Sequence, residues 1–203
     1  MNPERWDERF ATPEFWYGTR PNDFVAQSLP YLEGCTTVVE LGAGEGRNAV
    51  FLAEQGLRVT AVDYSKQGLQ KVQRLAEQRG VSVETIFADV LNWQPDRQWD
   101  AVVMTFLHLP PSDRPKLFAL VQRILVPGGY VIAEWFRPEQ RTRGFTSGGP
   151  PTPELMVTAS ELQQHFPQTG ILHLATPVRR LDEGPGHQGL GATVQLIWRK
   201  SAE

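Results

Sequence analysis

The sequence is 203 residues long and sets 20 Lys and Arg against 23 Asp and Glu, a net charge of −3. That balance offers none of the attraction that a phosphate backbone demands, so nucleic acid is excluded as the expected partner. The lone cysteine, Cys35, excludes an intrachain disulfide and a cysteine metal cluster and fits a reducing cytoplasm, while no signal-peptide core or run of ~20 apolar residues points to a membrane.

The length suits one α/β domain spanning 1–203. Residues 1–24 crowd together Trp6, Phe10, Phe15, Trp16, Tyr17 and Phe24, a segment that must pack on something and reads either as a lid over a ligand or as cover for a sheet edge. Residues 37–41 form a β-prone run that ends in Gly42-Ala43-Gly44-Glu45-Gly46, and 48–55 then reads as a short helix stopped by Gly56. The next strand, 57–62, closes on Asp63, after which Ser65 can cap a helix running through Leu69, Val72 and Leu75 toward Gly80. Residues 81–87 and 101–106 read as strands, and 112–125 places Leu117, Leu120, Val121, Ile124 and Leu125 at helical spacing before Pro127-Gly128-Gly129. A fifth strand, 130–136, leads into a loop over 137–153 rich in Gly, Pro and Arg, and Ser160 is the expected cap of a helix reaching Phe166. Two long β-prone runs, 171–181 and 192–199, are joined by a connection too short for a parallel crossover and read as an antiparallel hairpin. The expected fold class is therefore α/β: a doubly wound, mostly parallel Rossmann-like sheet with a C-terminal antiparallel hairpin. Residues 37–136 would be its cofactor-binding core, and 137–203 its substrate-side loop, helix and hairpin.

In such sheets ligands bind at the carboxyl ends of the strands where strand order reverses, which directs attention to the glycine turn after the first strand. Glycines there let backbone approach a ligand closely, and the helix that follows offers N–H groups to an anion. The dinucleotide pattern places glycine at the sixth position of G-x-G-x-x-G, where this sequence has Arg47, a departure that weighs against NAD and flavin. Asp63 ends the second strand, where a carboxylate can accept from both hydroxyls of a ribose. Asp89, within Ala88-Asp89-Val90 after the third strand, can accept from an adenine amine while its apolar neighbours sandwich the ring.

Taken in order, Val39-Glu40-Leu41-Gly42-Ala43-Gly44-Glu45-Gly46, Val62-Asp63, Ala88-Asp89 and Leu125-Val126-Pro127-Gly128-Gly129 resemble the motif set of class I S-adenosylmethionine-dependent methyltransferases. Gly46-Arg47-Asn48 with Leu52-Ala53-Glu54-Gln55-Gly56 is similar to the tellurite-resistance enzymes of that group. Trp6-Asp7 and Phe15-Trp16-Tyr17-Gly18 resemble the N-terminal stretch of thiopurine and thiol methyltransferases, where aromatic residues cover the cofactor. The resemblance implies a seven-stranded sheet and S-adenosyl-L-methionine as cofactor. It also implies a site in which Glu40 lies on the cofactor and Gly42, Ala43 and Gly44 face its methionine part, with Arg47 and Asn48 opening the helix behind them. Asp63, Tyr64 and Ser65 would hold the ribose and adenine, Ala88, Asp89 and Val90 would flank the adenine, and Thr105, Phe106 and Leu107 would lie beneath the sulfonium with Tyr17 covering the site.

Methyl transfer to a thiolate or chalcogen oxyanion needs no general base, whereas a neutral hydroxyl can require one. The residues available for that role are His108, on the expected rim, Glu134, inside the fifth strand, and His187, in a Gly-Pro-rich turn that reads as an exposed hairpin tip. Arg137, Arg141 and Arg143 read as a solvated basic stretch, or else as a group that steers an anion. The Asn/Asp-Pro-Pro-aromatic run of base-directed amino-methyltransferases is replaced by Thr105-Phe106-Leu107-His108-Leu109-Pro110-Pro111. The expected acceptor is thus a small molecule, a thiol or chalcogen oxyanion on the strength of the resemblance. A cofactor-binding scaffold protein without activity and an NAD-dependent reductase are the competing readings.

Overall fold

The computed structural model describes residues 3–202; the first two residues of the expected N-terminal lid segment lie outside that range. Two short helices, α1 (Pro3–Phe10) and α2 (Asp23–Gln27), precede the first strand. Then come β1 (Thr37–Leu41), α3 (Arg47–Glu54), β2 (Arg58–Asp63), α4 (Lys66–Gln78), β3 (Val83–Phe87), β4 (Trp99–Thr105), α5 (Arg114–Ile124) and β5 (Leu125–Phe136). The C-terminal part holds α6 (Glu139–Thr142), α7 (Ala159–His165), β6 (Ile171–Ala175), β7 (Val178–Asp182) and β8 (Gln188–Arg199).

The strands lie in the order β3-β2-β1-β4-β5-β8-β6, with β7 also paired to β8. All contacts from β3 to β5 are parallel, and β8 runs antiparallel to β5, β6 and β7. Parallel strands covered by helices on both faces bury nearly every side chain, which is why β1, β2 and β4 read as apolar runs. Alternate residues of β1 feed two separate cores. Val39 and Leu41 join Leu117, Val121 and Phe166 of the α5 and α7 face, while Val38 joins Leu52, Val72 and Leu75 of the α3 and α4 face. The order reverses between β1 and β4, so the crevice beyond their carboxyl ends is where a ligand site belongs.

Three sequence expectations are corrected in detail. The run 171–181 is not one strand: it breaks at Thr176-Pro177, since proline supplies no N–H to a ladder, and β6 and β7 pair with different halves of β8. The eighth strand comes from this break. The cap of α7 is Thr158, whose Oγ1 accepts from the Glu161 N–H at 3.1 Å; Ser160 lies inside the first turn, and Thr158-Ala159-Ser160-Glu161 is a capping-box pattern. Finally, the loop over 137–153 is folded on itself. The Arg141 guanidinium donates to the carbonyls of Pro150, Phe145 and Gly149 at 2.8, 3.1 and 2.9 Å, and Gln140 donates to Ser147 Oγ and Gly148 O while accepting from Ala192 N–H.

Candidate active site

The turn after β1 is wound by left-handed glycines, among which Gly46 has φ +88°. A Cβ there would lie 2.7 Å from Val72 Cγ2 and 2.9 Å from Val72 Cα, so the close packing of α4 on the turn requires glycine in both conformation and volume. Asp63 ties the turn to the end of β2: its Oδ2 accepts from the Gly44 N–H and its Oδ1 from the Ser65 N–H, each at 2.8 Å. Burial pushes the Asp63 carboxyl above its usual range, with the two backbone N–H groups opposing. Because a carboxylate can accept about four hydrogen bonds, capacity for a ligand remains. One residue beyond Val39, Glu40 accepts from Asn48 Nδ2 at 2.8 Å through Oε1, while its buried Oε2 has no hydrogen-bond partner among the described residues. Burial raises its carboxyl to about 7, against the Asn48 hydrogen bond. Asn48 also donates to Thr105 Oγ1 at 3.0 Å and accepts from the Asn22 N–H at 2.8 Å, linking β1, α3, β4 and the segment before α2.

These groups open onto a cavity of about 530 Å³ at the switch point. The structure brings most of the sequence-predicted cofactor residues to its wall. The glycine turn, Glu40, Arg47 and Asn48 form one side; Asp63, Tyr64, Ala88, Asp89 and Val90 form one end; Thr105, Phe106 and Leu107 form the floor. Burial, with Asp63 and Asp89 nearby, pushes the Tyr64 hydroxyl up to about 12. Ser65 does not line the cavity. It stands behind Asp63, where its Oγ accepts from the Gly68 N–H to cap α4 and donates to Asp7 Oδ1 at 2.6 Å. Asp89 is exposed, and its two oxygens already accept from the Leu91 N–H and Asn92 Nδ2 within the turn.

The N-terminal segment roofs this cavity with the rings of Trp6, Phe10, Trp16 and Tyr17. Its anchor is Glu45, buried in the glycine turn, whose two oxygens accept from the Trp16 and Tyr17 N–H groups at 3.1 Å. Lys71 closes the arrangement by donating to Glu45 Oε1 and Glu14 O at 2.6 Å each. Sequence reading passed over Glu45 because a carboxylate between glycines looks like an ordinary turn residue.

The three candidate bases part company here. His108 is buried, its Nδ1 on the Leu155 carbonyl at 3.1 Å and its Nε2 accepting from the Phe136 N–H at 3.3 Å. Burial lowers its pKa to about 3, and with both nitrogens committed to backbone it has no lone pair for a substrate proton. Glu134 is fully buried and away from the cavity wall, accepting from Arg179 Nε and NH2, Asn22 Nδ2 and Gln195 Nε2 at 2.6–2.8 Å. All four acceptor positions are taken. His187 was expected at an exposed tip and is instead 4% exposed, because Trp16 and Tyr17 pack over the turn and the Gly186 N–H donates to Trp16 O at 2.9 Å. Its Nδ1 meets Glu183 Oε2 at 3.2 Å, and its ring lies among Tyr17, Phe106 and Phe136 on the cavity wall.

Glu183, another residue that sequence reading missed, is the hub beneath His187. Its Oε2 pairs with Arg47 NH2 at 2.9 Å, and its Oε1 with Arg179 NH2 at 2.8 Å and Asn22 Nδ2 at 3.1 Å. Burial alone would raise its carboxyl, but Arg47, the His187 hydrogen bond and Arg179 hold it well below the usual carboxylate range. Arg137, Arg141 and Arg143 do not reach the cavity: Arg137 pairs with Glu139, Arg141 clamps its loop, and Arg143 lies over Phe145. The contacts do not support a part in steering an anion, since Arg137 is held by Glu139, Arg141 by the loop's carbonyls and Arg143 by the Phe145 ring.

A glycine turn at the sheet's switch point, acidic residues ending β1 and β2, and an antiparallel β8 beside β5 together define the class I methyltransferase fold. Residues 38–129 match the family model described as a methyltransferase domain. A demethylmenaquinone methyltransferase of Thermus thermophilus is 33% identical over 104 residues, which cover 50% of this chain and 47% of that protein. The chain thus spans about half the length of the curated relatives it matches. Among solved structures, TehB from Haemophilus influenzae superposes with a TM-score of 0.72 at 18% identity, over 98% of this chain and 67% of that one. The N-methyltransferase NodS from Bradyrhizobium japonicum, solved with S-adenosylhomocysteine, gives 0.73 at 14% identity over 98% and 99% of the two chains. The chain is thus related in sequence to methyltransferases through its sheet core and shares their fold over nearly its whole length.

Proposed function

We propose that the protein binds S-adenosyl-L-methionine in this cavity and transfers its methyl group to a small-molecule acceptor. The observation that carries the reading is the unpartnered, buried Oε2 of Glu40, set in the same wall as the Asp63-tied glycine turn. An orphaned carboxylate oxygen suits the cationic methionine portion of the cofactor, Asp63 suits its ribose, and the Tyr64, Ala88 and Val90 end suits the adenine. When bound, the cofactor supplies a methyl group on a positively charged sulfur, already electrophilic. What remains for the protein is to align the nucleophile and exclude water, for which the aromatic roof is suited. The relatives' names support a methyl-transfer reading without fixing the acceptor. Cys35 and the absence, among the described residues, of a helix long and apolar enough to cross a membrane are consistent with the proposed cytoplasmic setting.

Calorimetry with S-adenosylmethionine and NAD, followed by incubation of the labelled cofactor with thiols, selenite, tellurite, phenols and amines, tests this. Binding of the first cofactor alone and label in one acceptor are expected. Binding without transfer to any acceptor would favour the scaffold reading. Asp63→Ala should weaken cofactor binding at least about tenfold, since a hydrogen bond to a charged group contributes roughly 1.5–3 kcal/mol, and an unchanged dissociation constant in the folded variant would remove Asp63 from the site. A chalcogen oxyanion gains no support from Arg137, Arg141 or Arg143, all engaged elsewhere.

A further inference from the structure

We infer that His187, held by Glu183, is the proton acceptor for the methyl acceptor, and that the acceptor is an aromatic molecule whose nucleophile is a hydroxyl group. This rests on the methyl-transfer reading above and goes further by naming the substrate class. His187 Nδ1 is turned to Glu183 Oε2 at 3.2 Å, an arrangement that places the N–H on Nδ1 and leaves the Nε2 lone pair bare. Among the described residues no hydrogen bond is made to Nε2, which lies beside Gly148 on the wall of the cavity. Glu183 is in turn fixed by Arg47, Arg179 and Asn22, so the imidazole has one orientation. This is the pairing of base and orienting carboxylate that proton abstraction requires.

Around the bare nitrogen the wall is aromatic. Tyr17, Phe106 and Phe136 stand 4.6, 4.4 and 5.3 Å from the His187 ring, centroid to centroid. Phe106 adopts φ +55°, a conformation that costs a non-glycine residue energy and that the surrounding structure must enforce; it aims a ring at the junction between the cofactor floor and the dyad. Flat rings on several sides suit a planar, uncharged partner. The base then selects the nucleophile. A neutral amine attacks with its own lone pair, and a carboxylate or thiolate is ionised beforehand, so a hydroxyl gains most from losing its proton during attack. In the step, the hydroxyl O–H bond breaks and its proton joins Nε2. The oxygen forms the bond to the methyl carbon as the methyl–sulfur bond breaks, its electron pair remaining on sulfur. Positive charge leaves the sulfur and arrives on the imidazole beside Glu183, from which the proton passes to solvent.

The groups facing His187 are Glu183 from its own hairpin, Arg47 from α3, Glu134 from β5, His108 from the segment after β4 and Tyr17 from the roof. Burial, with Arg47, holds its pKa below the ordinary histidine value against the pull of Glu183, leaving it neutral and able to accept a proton at physiological pH.

The test uses the full chain, a panel of phenols that includes 4-methylphenol and 4-nitrophenol, and 4-methylaniline. For 4-methylphenol, His187→Asn should lower kcat/KM by about 10²–10⁴, whereas for 4-nitrophenol, largely ionised beforehand, the loss should stay within about threefold. Calorimetry should show wild-type cofactor affinity in the same variant. Glu183→Gln, a positioning change, should shift the midpoint of the wild-type pH–rate profile to lower pH, an effect that loss of structural support alone would not produce. If His187→Asn does not fold, the wild-type profile decides: a midpoint shared by phenols of different acidity supports His187, and one that tracks each phenol overturns it. Equal rates in wild type and His187→Asn, or transfer only to 4-methylaniline, or none to any phenol despite bound cofactor, would each overturn the proposal. Failure of the wild type to bind S-adenosylmethionine would instead overturn the methyl-transfer reading beneath it.

Discussion

Two histidines that look equivalent in sequence are set to opposite tasks by what touches their nitrogens. His108 is neutral and fully engaged, so its cost is met in acid. The unfolded chain takes up a proton near pH 6.5 while the folded chain resists until about 3, so the stability of the neutral form is complete above 6.5 and falls by about 1.4 kcal/mol per pH unit below it. Glu40 acts in the other direction: its raised carboxyl gives stability that is present below about 4.5 and lost as pH rises through about 7. The His108 contribution is therefore read as a difference. Urea unfolding from pH 7 to 4 should show the wild type losing stability relative to His108→Asn, even though the variant is weaker at pH 7; parallel curves would mean that His108 titrates normally. Glu40 carries a separate expectation. If the cationic cofactor settles beside Oε2, binding at pH 6.5–7 should release a proton, visible as a buffer-dependent heat in calorimetry and absent in Glu40→Gln.

At the level of elements, the hairpin of β7 and β8 is the part that joins roof, base and sheet. Gly184 has φ +74°, and a Cβ there would approach Tyr17 C and Trp16 O at 2.7 and 2.8 Å, backbone atoms with nowhere to yield. Gly184→Ala should destabilise the protein by at least about 1–2 kcal/mol, the cost of the left-handed conformation alone, speed hydrogen exchange over residues 13–18 and weaken cofactor binding; unchanged exchange would show that roof and hairpin are independent. The alternating strands and helices from β1 to β5 were legible in the sequence because β1, β2 and β4 are apolar runs, the first stopped by Gly42 and the second by Asp63. The hairpin was legible only as a connection. Asp182-Glu183-Gly184-Pro185-Gly186-His187 has the composition of an exposed turn, and no local pattern says that Trp16 and Tyr17 will bury it. Likewise, Pro177 splits a run whose β-propensity is otherwise continuous.

For the molecule as a whole, the site joins segments that are remote in sequence, so cofactor binding should stabilise the entire fold. At a concentration about 100-fold above the dissociation constant the gain is about 2.7 kcal/mol, which for a domain of this size raises Tm by roughly 5–11 °C; S-adenosylmethionine should produce that shift and NAD none. The turn, Asp63 and Asn48 of this site were readable because the turn follows β1, Asp63 ends β2 and Asn48 opens the helix after the turn. Glu45 and Glu183 were not, because Glu45 meets Trp16, Tyr17 and Lys71, and Glu183 meets Arg47 and Asn22, only once segments remote in sequence pack together. The cavity is assembled from three stretches of the chain. The glycine-turn wall falls inside residues 38–129, where the family match lies; the roof residues Trp6 to Gly18 come before it, and Phe136, Thr146, Leu155 and Pro185 to His187 come after it. Register between β5 and β8 holds from Tyr130↔Arg199 to Phe136↔Thr193 and does not involve residues 183–187, whereas β7 pairs with β8 up to Asp182↔Gln188, so a change at the tip bears on β7 before it reaches the β5–β8 seam. On the proposed function, a change of acceptor would be drawn from these later segments, while the segment of the family match would be left to the cofactor.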